Sequence, residues 1–186
     1  MAEVGLYGGA FDPPHVGHVE VARVAKEHFD IPRLVVLVTE APAHKPVHAP
    51  AKDRLALARA AFPDEDVRLD PHPRTIDLLR AEEFEEPLFV IGADQFRDFR
   101  SWEEPDAVLE LTRLAVATRP GFPQAQLDAV LQELERPDRV LFFELEPNQA
   151  ASTDIRALAA AGEPLDGLVP AGVADLIESR GLYRAD

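Results

Sequence analysis

Cysteine is absent from the 186 residues, which excludes disulfides, thiolate zinc sites and a cysteine nucleophile. Basic residues are scarce. Nineteen Lys and Arg against 34 Asp and Glu leave a net charge of -15 at pH 7. So acidic a chain is a poor match for a broad nucleic-acid or anionic-membrane surface. A pocket's local field can still favour a small anion. No apolar run approaches membrane-spanning length. The opening residues, MAEVGLYGG, carry no basic region of the kind that begins a secretory leader. A cytoplasmic protein without nucleic-acid or membrane partners is therefore expected. Serine is also rare, with three in the chain, one of them Ser152.

What is present is an ordinary globular balance, 46% hydrophobic and 28% charged, in a length that suits one domain, residues 1–186. Strand-like runs recur: VGLYGG from Val4, RLVVLVT from Arg33, DVRLD from Asp66, PLFVIG from Pro87, RLAVAT from Arg113 and RVLFFEL from Arg139. Helix-like stretches separate them, beginning at His18, Ala51, Arg74, Glu103 and Pro123, and two more close the chain from Ser152 and Gly172. Strands alternating with helices predict an α/β fold, an open and mostly parallel Rossmann-like sheet with helices on both faces. The all-apolar runs LVVLV and LFVI fit strands buried on both sides. A proline-rich loop, Thr39–Pro50, is long enough to be a fixed wall or a lid of a site. Such sheets bind ligands at the carboxyl ends of their strands, near a reversal of strand order.

The first strand end reads GGAFDPPHVGH, Gly8 to His18. It is neither a P-loop, since no GKS or GKT follows, nor the GxGxxG fingerprint. Gly8 and Gly9 would let the backbone turn and approach a ligand. Gly17 would open a helix whose N–H groups favour anions, with His18 in its first turn and His15 just before. The helix dipole disfavours imidazolium there, so the pair is oddly placed for stability alone. A histidine can donate to phosphate oxygens and stabilise charge on a leaving group. A His–His metal pair would lack a third ligand. Asp12 is expected to order the loop through backbone bonds. Far downstream, STDIR, Ser152 to Arg156, places Ser152 or Thr153 as a helix cap and Arg156 as a fork of donors for a pyrophosphate.

GGAFDPPHVGH resembles the G-x-FDPxHxGH signature of the HxGH nucleotidyltransferases, and STDIR resembles their late (S/T)-(S/T)-x-x-R motif. Within that superfamily, APAHKP, IGADQF, the stretch SWEEPDAVLELTRLAVATRPGF and the tail LVPAGVADLIESRGLYR resemble bacterial nicotinate mononucleotide adenylyltransferases. One segment departs: PRTIDLL, Pro73 to Leu79, stands where the family has PSYTxDTL.

The resemblance implies adenylyl transfer from ATP to nicotinate mononucleotide, releasing pyrophosphate, in NAD biosynthesis. It implies ATP contacts from Gly8, Gly9, Ala10, Phe11, His15, His18, Gly92, Asp94, Ser152, Thr153 and Arg156. Catalysis would fall to His15, His18, Lys45 and Arg156. Lys45, Thr75 and Trp102 would meet the mononucleotide, with the Trp102 ring on the pyridine. Mg2+ would accompany ATP, held by phosphate and water rather than by protein ligands. Two alternatives stay open from the residues: an enzyme preferring or also accepting the nicotinamide mononucleotide, and a nucleotide-binding regulatory module without turnover. Oligomeric state is not legible.

Overall fold

Six runs of apolar, β-branched residues pair into one sheet. The computed structural model of the chain describes residues 3–42, 46–82, 84–147 and 150–184. Its strands are β1 (Val4–Gly9), β2 (Arg33–Thr39), β3 (Asp66–Asp70), β4 (Leu88–Gly92), β5 (Arg113–Thr118) and β6 (Val140–Glu144). Every pairing is parallel, in the order β3-β2-β1-β4-β5-β6. Each expected strand is present, β4 and β6 starting one residue late.

Alternation along the strands builds two cores, one on each face of the sheet. On one face Leu34, Val36, Val38, Leu88, Val90, Ala115 and Ala117 meet helices α1 (Val16–His28), α2 (Ala51–Ala61), α7 (Ser152–Ala161) and α8 (Ala171–Arg180). On the other, Val35, Leu37, Phe89, Ile91, Leu114 and Val116 meet α3 (Thr75–Ala81), α4 (Ala93–Arg97), α5 (Pro105–Leu111) and α6 (Gln124–Gln132). Helix α4 has no counterpart among the expected helices. Its five residues are too few to show a helical period. Among the described residues no helix is long and apolar enough to cross a membrane.

The strand order fixes where a ligand goes. The chain builds outward from β1 to β3, then returns to lay β4 beside β1 and builds outward the other way. The carboxyl ends of β1 and β4, Gly9 and Gly92, therefore flank the reversal, which is where open α/β sheets bind ligands.

Candidate active site

The loop after β1 turns at Phe11 rather than at the glycines. Phe11 is left-handed (φ 49°), and neither Gly8 nor Gly9 has a positive φ. Close approach is what demands the glycines. A Cβ on Gly8 would stand 3.2 Å from the Phe89 ring, and one on Gly9 3.1 Å from the Phe11 ring. The expectation that these glycines supply the turn is thereby corrected. Phe11 can hold an uncommon backbone region because its ring is 2% exposed and packs edge-on to Tyr7, Phe62 and His18.

His15 and His18 cap α1 reciprocally. Gly17 N–H donates to His15 Nδ1 at 3.1 Å, and His15 N–H donates to His18 Nδ1 at 3.2 Å. Two amides of the helix start are thus satisfied by imidazoles where serine and glutamate usually serve. This corrects the expectation that histidines are oddly placed there for stability. They enter as acceptors, which the dipole favours. Because each Nδ1 accepts, each neutral ring carries its proton on Nε2. The rings lie 3.8 Å apart, centre to centre, at 37°, with the Phe11 ring 5.2 Å from that of His18.

Burial, aided by the positive charge of Arg119, pulls the His15 pKa from 6.5 down to about 4. The sign follows from linkage. Between pH 6.5 and 4 the unfolded chain binds a proton at this residue that the folded chain refuses. Stability therefore falls as the pH drops through that window and levels off below it. The expected slope reaches about 1.4 kcal/mol per pH unit. His15→Asn keeps a capping oxygen and is expected to flatten this slope in denaturation measured across pH. An unchanged slope would show that other groups carry it.

The STDIR motif reaches this loop from a distance of some 140 residues in sequence. Ser152 Oγ donates to the Pro13 carbonyl at 2.9 Å, and Arg156 Nη1 donates to the Asp12 carbonyl at 2.8 Å. Arg156 Nη2 also reaches Thr153 Oγ1 at 3.3 Å. The capping expectation for Ser152 and Thr153 is not met. Ala151 is the N-cap of α7, no side chain caps it, and the Ser152 hydroxyl joins the two motifs instead. The N-termini of α1 and α7 thus come together at the end of β1.

Across the reversal, Gly92 is the N-cap of α4, its N–H donating to Gln95 Oε1 at 3.1 Å. A Cβ there would meet only that oxygen, at 4.0 Å, so the backbone is open to a ligand. Asp94, exposed in the first turn, pairs with Arg97 at 3.1 Å. Trp102 is half-buried against the second core and edge-on to Phe99 at 5.2 Å. Thr75 begins α3. Ion pairs Arg74–Glu103 (3.4 Å) and Arg80–Glu104 (2.7 Å) tie α3 to the segment after Trp102, so these two elements are neighbours. Lys45 lies outside the described residues.

Asp12, 5% exposed, bonds backbone as expected, but that of the loop after β2 rather than of its own loop. It accepts from His48 N–H at 2.6 Å, Ala49 N–H at 3.1 Å and the Tyr183 hydroxyl at 2.8 Å. Three groups escaped the sequence reading. Arg119 directly follows β5, and its charge acts on both Tyr7 and His15. Tyr183 binds Asp12. Arg54 is fully buried and donates to the carbonyls of Ala10, Thr39, Glu40 and Ala49 at 2.7–3.1 Å. A signal for Arg54 existed: with Leu57, Ala58 and Ala61 it occupies the i, i+3, i+4, i+7 stripe of α2. Among the described residues no group of three or more His, Cys, Asp or Glu could hold a metal ion.

Residues 6–158 match the model of the cytidylyltransferase-like family. The chain is 36% identical to the probable nicotinate-nucleotide adenylyltransferase of Rubrobacter xylanophilus, covering 98% of this chain and 92% of that one. It is 35% identical to the protein of the same name from Thermomicrobium roseum, over 99% and 92%. Among solved structures, the nicotinic acid mononucleotide adenylyltransferase of Plasmodium falciparum complexed with NaAD superposes with a TM-score of 0.77 over 98% of both chains, at 16% identity. That last likeness establishes the shared fold.

Proposed function

The chain belongs to the cytidylyltransferase-like family and, within it, to the nicotinate-nucleotide adenylyltransferases, and from that premise we infer how its own residues carry the reaction. The enzyme transfers the adenylyl group of ATP to nicotinate mononucleotide, giving nicotinate adenine dinucleotide and pyrophosphate in NAD biosynthesis. We assign the whole of residues 1–186 to one catalytic domain, since Val173 and Ile177 beyond the family match complete the first core.

The mononucleotide's 5′-phosphate oxygen attacks the α-phosphorus of ATP. A P–O bond forms there, and the bond to the β-phosphate bridge breaks. The attacking group is already anionic, so no protein nucleophile is required. Catalysis is positioning and charge stabilisation. ATP lies over Gly8 to Phe11 and Gly92, with its phosphates between the starts of α1 and α7. The Nε2–H groups of His15 and His18 donate to phosphate oxygens, His18 to those gaining charge at the α-phosphorus. Arg156 and the α7 start around Ser152 and Thr153 hold the β- and γ-phosphates, and Asp94 takes a ribose hydroxyl. Mg2+ accompanying ATP would add charge neutralisation at the phosphates, and no protein side chain is assigned to hold it. Lys45 reaches the mononucleotide phosphate, and Thr75 and Trp102 receive its base. The observation that carries this reading is the reciprocal His15–His18 cap bonded through its loop to Ser152 and Arg156 at the strand reversal. The local cations and helix starts there oppose the acidic charge of the chain as a whole.

Labelled ATP tests the bond that breaks. Label in the α-phosphate is expected in the dinucleotide, and label in the γ-phosphate in pyrophosphate. Label from the γ-position in the dinucleotide would refute adenylyl transfer. Trp102→Ala is expected to raise the mononucleotide KM about tenfold, the scale of a lost ring stack, with the KM for ATP unchanged. A matched rise in both would remove Trp102 from the pyridine site.

A further inference from the structure

Helix α8 ends at Arg180, and the chain then passes through two left-handed residues, Gly181 (φ 61°) and Tyr183 (φ 64°). Bonds from Gly181 N–H to the Glu178 carbonyl and from Leu182 N–H to the Ile177 carbonyl close the helix, the Schellman arrangement. Glycine takes this backbone region readily, whereas tyrosine rarely does. What the left-handed turn achieves is delivery of one side chain. The Tyr183 ring packs against the first core, and its hydroxyl donates to Asp12 Oδ1 at 2.8 Å. Burial and the facing Asp12 carboxylate push its pKa above the ordinary phenol value, so the hydroxyl keeps the proton it donates.

The receiving carboxylate joins three segments. Asp12 lies in the loop that ends in the His15–His18 cap. Its oxygens also take the amides of His48 and Ala49 from the loop after β2, while its own carbonyl takes Arg156 of α7. His48, Thr153, Arg156 and Tyr183 line one shared cavity of about 490 Å3. A carboxylate so buried, with three donors, fixes their mutual geometry, because bonds to a charged acceptor are strong and directional. We infer that Tyr183 is a positioning residue for adenylyl transfer: its hydroxyl holds Asp12, and Asp12 holds the histidine-bearing loop against the segment at residues 46–50 and the start of α7. The tail hydroxyl gives its one proton to Asp12. It acts by keeping the phosphate donors in register, where an error of about 1 Å costs up to about a hundredfold in rate. This inference rests on the adenylyl-transfer reading of the site.

Tyr183→Phe keeps the ring and its packing and removes only the donor. Kinetics are measured below the melting range, alongside Asp12→Asn and the double variant. Tyr183→Phe is expected to lower kcat about tenfold, with the KM for ATP and for the mononucleotide within about threefold. The double variant should be no slower than Asp12→Asn alone, because asparagine turns an NH2 toward one of the donors and so already breaks the assembly through which Tyr183 acts. A kcat within about twofold of wild type, or single effects that multiply, would overturn the role. Hydrogen exchange at the His48 and Ala49 amides reads the link without the reaction. Faster exchange in Tyr183→Phe supports it, and unchanged exchange overturns it. Wild-type enzyme that releases no pyrophosphate would defeat the reaction itself, and the positioning role with it, whatever the exchange shows.

Discussion

His18→Ala is expected to lower kcat by about two to three decades, the usual result of removing one donor aimed at transition-state charge. The structure adds a second, smaller effect. His18 Nδ1 accepts the His15 N–H, so the variant also loses half of the helix cap, at about 1 kcal/mol and a melting shift of about 2–4 °C for a chain of this size. The two effects separate with His18→Gln. Glutamine is a natural partner at the third position of a capping box, so it should restore the melting temperature while leaving the rate low. A rate for His18→Ala within tenfold of wild type would remove His18 from the transition state. Recovery of the rate together with the melting temperature in His18→Gln would reduce the residue to a cap.

Arg54→Met carries the largest expected stability loss. The guanidinium is fully buried, and its donors go to four backbone carbonyls, of Ala10 and Ala49 and of the adjacent Thr39 and Glu40. Burial pulls its pKa down, while Asp12 and Glu40 favour the charged form. Methionine matches much of the volume yet takes the guanidinium's donors away from those carbonyls. About 3–5 kcal/mol is expected, the cost of removing one member of a buried polar assembly, or a melting temperature lower by about 10 °C. Arg54→Lys should recover little, since one ammonium cannot reproduce a planar fork spread over several segments. Because the loops after β1 and β2 are both released, activity should fall even in the cold, where the variant remains folded. A melting temperature within about 3 °C of wild type would show that the carbonyls find water, and that Arg54 is not the tie between the loops.

The strands were legible because a parallel sheet buried on both faces leaves unbroken apolar runs such as LVVLV, and β2 lies where that run lies. The helices with a full apolar stripe were legible for the same reason. Helix α4 was not, since five residues after a strand glycine carry no period. The proposed phosphate end of the site was suggested by GGAFDPPHVGH and STDIR because glycines and helix starts leave local marks in a sequence. The bonds that join those motifs were not. Ser152 to Pro13, Arg156 to Asp12 and Tyr183 to Asp12 connect residues 139 to 171 apart in sequence. A side chain bonding a distant backbone or carboxylate imposes no pattern on its neighbours. The same reasoning explains the errors. Ser152 looked like a cap because serine before a helix usually is one, and Gly8 and Gly9 looked like the turn because glycine usually is. Tertiary contacts gave both another task.

Helix α3, which begins within the departed segment Pro73–Leu79, is tied to Glu103 and Glu104 just after Trp102, so the choice of pyridine acceptor is the decisive measurement. Pyrophosphate release would be followed with ATP and Mg2+, offering nicotinate mononucleotide and nicotinamide mononucleotide in parallel. The expected result is turnover with a strong preference in kcat/KM for the acid. Preference for the amide would keep the fold and the phosphate chemistry but contradict the assigned substrate. Silence with both, in protein shown to bind ATP, would contradict the adenylyltransferase itself.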